Sequence, residues 1–218
     1  CIVSAAGEVT VSVDHRHAFE GAMWDAGQLW ISVNGGDYTD VGKDAFSVNG
    51  YTDVAIIGNG IAKGQNGFGN TSAGHADGSY ITTTASLGSF AAGDAISVRF
   101  VALYDDCATG AKPNWVIDKV AFFSGDVRYV PAIYDFSSDD EGFTVETVGA
   151  VPGPWEYNED NGQWVSDGSV AGCGGPYHDF LSSPGCIVSA AGEVTVSVDH
   201  RHAFEGGMWD SGQLWISV

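Results

Sequence analysis

The chain opens with CIVSAAGEVTVSVDHRHAFEGAMWDAGQLWISV, residues 1–33, and writes the same stretch again at residues 186–218. Two positions differ between the copies: Ala22 becomes Gly207, and Ala26 becomes Ser211. Agreement of this length at an offset of 185 residues reads as one full period of a tandem repeat followed by the opening of the next. Within the stretch, Glu8 to Phe19 alternates with period two, which puts Val9, Val11, Val13, His15, His17 and Phe19 on one face of a half-buried strand. Gly21 and Gly27 interrupt the pattern, and Leu29, Ile31 and Val33 restart it up to the turn signal Asn34-Gly35-Gly36. The two runs are expected to be neighbouring antiparallel strands.

Beyond this stretch, Asp37 to Asp77 loses its apolar period, and the pairs Asn49-Gly50, Asn59-Gly60 and Asn66-Gly67 mark turns with positive φ, so long loops with short strands are expected there. Further strands are expected at Ser79–Ala85, at Ala95–Val101 with Ile96, Val98 and Phe100 facing in, and at Trp115–Phe123. Gly125 to Pro131 reads as a short, stiff linker, because a fresh apolar pattern begins at Tyr134 and Phe136. The expected organisation is therefore residues 1–124 as the C-terminal part of one repeat, 125–131 as linker, and 132–218 as the N-terminal part of the next. Tyr129 and Val130 beside Pro131 suggest that neighbouring repeats pack closely at that linker.

Composition supports an all-β chain, being rich in Gly, Val, Ser, Thr, Asp and aromatic residues. One period is long enough to bury a full core without staples. The formal charge is −20; removing the second copy's four acids and one base leaves −17 for a single period. Eight Lys and Arg residues cannot build the clustered positive surface that a nucleic acid requires, whereas surplus carboxylates suit divalent cations. No apolar run approaches the roughly 20 residues of a membrane span. The repeats, the acidity and the cysteines together suggest a secreted or surface protein.

Several motifs read in the order of a known family. Phe180-Leu181-Ser182-Ser183-Pro184, then Val196-Ser197-Val198-Asp199-His200-Arg201, the run from Trp24-Asp25-Ala26-Gly27-Gln28-Leu29 to Gly36, Ala92-Gly93-Asp94 to Arg99-Phe100, and Asn114-Trp115-Val116-Ile117-Asp118-Lys119-Val120 together resemble the MAM-like jelly-roll module of bacterial and archaeal surface proteins. The resemblance implies a jelly-roll β-sandwich, one domain per period, whose role is to bind, adhere or hold polymers together. Asn114 and Lys119 depart from the family's usual glycine and acidic residue.

Four cysteines reduce to three per period, Cys107, Cys173 and Cys186, with Cys1 the equivalent of Cys186. Cys173 is expected to pair with Cys186 across a short loop, and Cys107 with the Cys1 equivalent is the alternative. His15 and His17 share parity with core valines, which favours packed histidines over metal ligands. Gly58-Asn59-Gly60-Ile61-Ala62-Lys63-Gly64 lacks the Lys-Ser/Thr ending of a phosphate loop and reads as a turn. Asn70-Thr71-Ser72 is an N-glycosylation sequon, and Trp24, Trp30, Trp155 and Trp164 are candidates for stacking on sugar rings. No catalytic signature stands out.

The expected metal site is a structural calcium held by Glu20, Asp25, Asp105 and Asp118. Asp118 is in step with Val116 and Val120, so its carboxylate would face inward, where an unpaired charge costs several kcal/mol. Glu20 and Asp25 flank the loop between the first two strands, and Asp105 and Asp106 precede the strand of Asp118. The family resemblance points to the same ion; the competing reading hydrogen-bonds Asp118 to backbone amides or pairs it with Arg99. The expected function is structural or adhesive: a fibre, stalk or sheath of near-identical domains whose partners are copies of itself. The alternatives are a carbohydrate-binding array, with glycans as partners, and the accessory domain of a secreted hydrolase.

Overall fold

The structure, a computed structural model, describes residues 1, 3, 5–106, 108–124, 127–148, 155–166 and 177–184. Twelve strands occur among them: β1 (Gly7–His17), β2 (Ala26–Val33), β3 (Thr39–Asp40), β4 (Phe46–Val48), β5 (Ile81–Phe90), β6 (Ile96–Tyr104), β7 (Trp115–Ser124), β8 (Val127–Tyr134), β9 (Thr144–Val148), β10 (Trp155–Asn158), β11 (Gln163–Ser166) and β12 (Tyr177–Ser182). Helical geometry among the described residues is limited to three short 3-10 turns, so the chain is all-β. The strands form two antiparallel sheets. One runs β10-β11-β7-β1-β5-β4 with β8 also on β7, and the other runs β3-β2-β6-β12-β9. Both contribute to one apolar core, an arrangement compatible with a β-sandwich.

The alternation in the opening stretch is realised residue by residue. Val9, Val11, Val13, His15 and His17 are buried, while the residues between them are partly exposed. The two runs of the stretch are not neighbours, however. β1 lies between β5 and β7 in one sheet, and β2 lies between β3 and β6 in the other. Both runs need the same core, and sitting on opposite sides of it buries both apolar faces at once. The residues between them therefore cross from sheet to sheet.

Trp115 stands at the centre of the core. Its ring meets those of His15, Phe19, Phe68, Phe100 and Trp155. Burying a side chain of this size contributes about 5 kcal/mol of transfer free energy. The ring lies directly against the backbone of Gly27, where an added Cβ would come within 2.6 Å of it. Only glycine fits there.

The sheet containing β6 is also covered on its other side. Met23, Ala26, Ile56, Ala62, Val101, Leu103 and Phe180 form a second buried cluster, in which the loop beyond β4 supplies Ile56 and Ala62. Burial on both faces explains why Phe100 through Tyr104 are all buried and why β6 loses its alternation after Arg99. Arg99 itself sits between the rings of Tyr38 and Phe180 and pairs with Glu146 at 3.2 Å.

Part of the expected linker, Gly125 and Asp126, lies outside the described residues; Val127–Tyr134 is strand β8, paired with β7 from Ser124↔Val127 to Val120↔Tyr134. Residues beyond it join the core of the first 124: Tyr134, Phe136, Phe143, Trp155, Trp164 and Leu181 pack in one cluster with Val11, Phe100 and Trp115. β12 runs antiparallel along β6, with Ser182 opposite Arg99. Ser183 continues that path by donating its N–H to the Val98 carbonyl at 2.7 Å. Two residues further along β6, Ile96 donates to the Cys1 carbonyl at 2.7 Å, the Cys1 nitrogen donates back to Ile96, and Val3 donates to Asp94 at 3.0 Å. Cys1 and Val3 thus lie along the same edge of β6 as β12 and in line with it.

Candidate functional site

The crossing between β1 and β2 builds the site. Glu20 precedes a 3-10 turn, Gly21–Met23, in which Ala22 and Met23 have φ of 59° and 64°. Left-handed backbone costs an ordinary residue about 1–2 kcal/mol, so surrounding contacts must hold the loop. Ile57 donates its N–H to the Met23 carbonyl at 2.9 Å. Gly58 lets the chains touch: a Cβ there would lie 1.9 Å from the Trp24 carbonyl oxygen and 2.8 Å from the Asp105 Cβ. The pairing of Ala26 with Leu103 then brings Asp25, just before β2, beside Asp105, just after β6.

One carboxylate oxygen each from Glu20, Asp25 and Asp105 lies within 4.8 Å of the others. Asp25 is completely buried. Its Oδ1 accepts the Asp105 N–H at 3.0 Å, and its Oδ2 is buried without a hydrogen-bond partner among the described residues. Burial pushes the Asp25 carboxyl up to about 8; the Asp105 N–H works against this, and the negative charges of Glu20, Asp105 and Asp106 add to it. Glu20 is raised by burial and then by Asp105 and Asp106. Asp105 is raised by burial and by Asp106, with Lys63 opposing. The group offers hard oxygen donors and an unsatisfied buried oxygen, a donor set suited to a divalent cation such as calcium.

Asp118 is not part of this group. β1 pairs Asp14 with Lys119 but His15 with Ile117, which leaves Asp118 as the extra residue of a β-bulge. The bulge inverts the parity on which its inward orientation was expected: Trp115, Ile117, Val120 and Phe122 face the core, and Asp118 is half-buried. Its Oδ1 accepts the Gln163 side-chain N–H at 2.8 Å. Arg99 pairs with Glu146 instead.

Beside the acidic group is a shallow cleft whose lining includes Trp24, Asn59, Lys63, Asp105 and His178. Trp24 is 42% exposed, whereas Trp155 and Trp164 are buried in the core and Trp30 is half-buried against Phe180. His178 accepts the Ile61 N–H at Nε2 at 3.2 Å, and burial lowers its pKa. Its neighbour Asp179 is buried, accepts the Thr147 hydroxyl at 2.8 Å, and is pushed up to about 8 by burial. Nothing in the sequence singles out this pair, because β12 is buried on both faces and so carries no alternating pattern.

His15 and His17 are buried and stacked on one another at 5.4 Å between centroids. Asn70 is exposed, with φ of 56°, while the hydroxyl of Ser72, two residues on, accepts the His17 N–H at 2.9 Å. Cys1 is buried. Cys107, Cys173 and Cys186 lie outside the described residues, and the expected pairing of Cys173 with Cys186 lies there with them. Among the described residues, no helix is long and apolar enough to cross a membrane.

No protein-family model matches the chain, and neither the curated proteins nor the solved structures give a match.

Proposed function

We propose that this chain is a unit of a structural or adhesive extracellular protein, in which near-identical jelly-roll domains of the MAM-like kind follow one another and build a fibre, stalk or sheath. The observation that carries the reading is the junction along β6. Ser183 hydrogen-bonds to Val98, and Cys1, equivalent to Cys186, hydrogen-bonds to Ile96, so the end of one period lies next to the start of the same period. A domain whose ends meet in this way can be strung in series without altering its fold. Uniform units favour one repeated contact between neighbours, which suits a filament more than a set of independent binders. Electron microscopy of the native material tests this: a regular filament is expected, and isolated beaded chains would overturn it.

Calcium fits the proposal as a structural ion. Glu20, Asp25 and Asp105 would hold it, and its charge would stabilise the buried Asp25 carboxylate. Melting of the metal-free protein with added calcium, and again with excess chelator, tests the ion. A ligand at about a hundred times its dissociation constant adds roughly 2.7 kcal/mol, enough to raise the midpoint by a few degrees. An unchanged midpoint would remove calcium from the proposal.

A carbohydrate-binding role is the second reading, favoured by one observation, the exposed ring of Trp24 beside a cleft carrying Asn59 and His178. Aromatic faces with flanking hydrogen-bonding groups suit sugar rings. Glycan-array binding lost in Trp24→Ala would favour it; no binding by the native chain would exclude it.

A further inference from the structure

We infer that the place held by residues 1–33 is exchangeable, and that the second copy, residues 186–218 of the same chain, can occupy it. The proposal goes beyond the structural role above and does not depend on a filament.

Residues 1–33 do not decorate the fold; they run through its middle. β1 is flanked by β5 and β7, β2 by β3 and β6, and the crossing between them carries Glu20 and Asp25. Whatever fills this place must match the inner faces of both sheets, and residues 186–218 repeat the filling sequence at all but two positions. Complementarity of that kind is normally unavailable to a second segment.

Register supplies the independent argument. β12 descends along β6 with Ser182 opposite Arg99 and Ser183 at Val98, after which the sequence passes through Pro184 and Gly185 to Cys186. Continued without a shift, that register sets Gly185 opposite Ile96. Cys1 occupies that position, and Cys1 is the equivalent of the very next residue. A slip of one residue, the size of a single bulge, therefore brings Cys186 to the position of Cys1 while Ser183 stays where it is. On that register the covalent path of the second copy would lead into the place of the first. Entry of residues 186–218 would release residues 1–33, tethered at Asn34 and still competent to fill the same place in another copy.

The two differing positions act in opposite directions. Ala22 has φ of 59°, and its counterpart Gly207 suits that backbone better. Ala26 is completely buried, and its counterpart Ser211 would bring a hydroxyl there. Neither difference blocks the exchange.

The test uses the full chain and disables each copy in turn. Val11 is completely buried, and an aspartate there cannot pack; its counterpart is Val196. Val11→Asp and Val196→Asp singly are each expected to keep a cooperative melt, with midpoints shifted by a few degrees at most, because the intact copy fills the place. The double variant is expected to lose the transition. Sedimentation of Val11→Asp is expected to show a monomer, as same-chain exchange requires. Loss of folding in Val11→Asp alone, a native melt in the double variant, or a Val11→Asp dimer would overturn the proposal.

Discussion

Trp115 on β7 donates its indole N–H to Nδ1 of His15 on the adjacent β1 at 3.0 Å. That single bond fixes the tautomer of His15: Nδ1 accepts, so Nε2 carries the proton and donates it to the Thr83 hydroxyl at 2.7 Å. The Thr83 hydroxyl in turn donates to the Asn49 carbonyl at 2.8 Å. Three elements and a turn are joined by a relay in which every donor has one acceptor. Because His15, Thr83 and Trp115 are buried, breaking a link between them leaves a buried polar group unsatisfied.

Thr83→Val should therefore cost more than its small change of shape suggests. It strands the Nε2 proton of the buried His15, and an unfolding free energy about 1–3 kcal/mol lower is expected by urea denaturation. Trp115→Phe removes the donor and opens space beside Gly27, so it should destabilise at least as much. A cost within a few tenths of a kcal/mol for Thr83→Val would show that the relay contributes nothing.

The dependence of stability on pH follows from groups buried in their neutral forms. His15 is held well below its ordinary value by burial and by His17, and His17 is lowered to about 4, chiefly by burial. The unfolded chain takes up these protons as pH falls below about 6.5, whereas the folded chain does not, so both histidines weaken the fold from there toward pH 4. Asp25 and Asp179, each raised to about 8 by burial, act oppositely: the folded chain keeps protons that the unfolded chain releases near pH 4, so stability falls as pH rises toward 8. Between about pH 6.5 and 8 the carboxyls outweigh the histidines, which are at most half protonated in the unfolded chain over that range. In chelator, the urea midpoint should be lower at pH 8 than at pH 6.5, and a higher midpoint at pH 8 would contradict this account.

Asp25→Asn separates the acid from its shape. The amide keeps an oxygen for the Asp105 N–H but has no charge to bury. The variant should fold, should lose part of the decline between pH 6.5 and 8, and should no longer respond to calcium. A full calcium response in Asp25→Asn would assign the ion elsewhere.

Ala22→Gly should stabilise the chain. Relief of the left-handed alanine outweighs the greater freedom of glycine in the unfolded state, for a net gain of about 0.5–1 kcal/mol. Parallel urea titrations of the two proteins measure it, and a loss of stability would show that the surrounding loop relaxes around alanine without strain.

Much of the fold is legible because one stretch obeys a strict period. Val9 to His17 alternate without a fault, and the burial of His15 and His17 follows from that alternation alone. What the pattern cannot give is which strand lies beside which. β1 and β2 present equally good apolar faces, and only the crossing at Glu20–Asp25 puts them in different sheets. The orientation of Asp118 is hidden from the sequence for a related reason, since a bulge shifts parity by one residue and leaves no mark in the amino-acid order. Glu20, Asp25 and Asp105 could be picked out because acids bordering loops between strands are visible in sequence. The cover over β6 was not, because Ile56 and Ala62 are scattered among glycines and polar residues.

The bulge at Asp118 marks a change of partner. Before it, Trp115 to Ile117 pair with β11; after it, Val120 to Ser124 pair with β8. Two short strands thus share one long edge that neither could cover alone. An uncovered β7 edge would offer a row of unpaired backbone groups during folding, and such edges are prone to pair with those of other chains in error. With β8 and β11 covering it from both directions, β7 leaves little of that edge open to a stray strand.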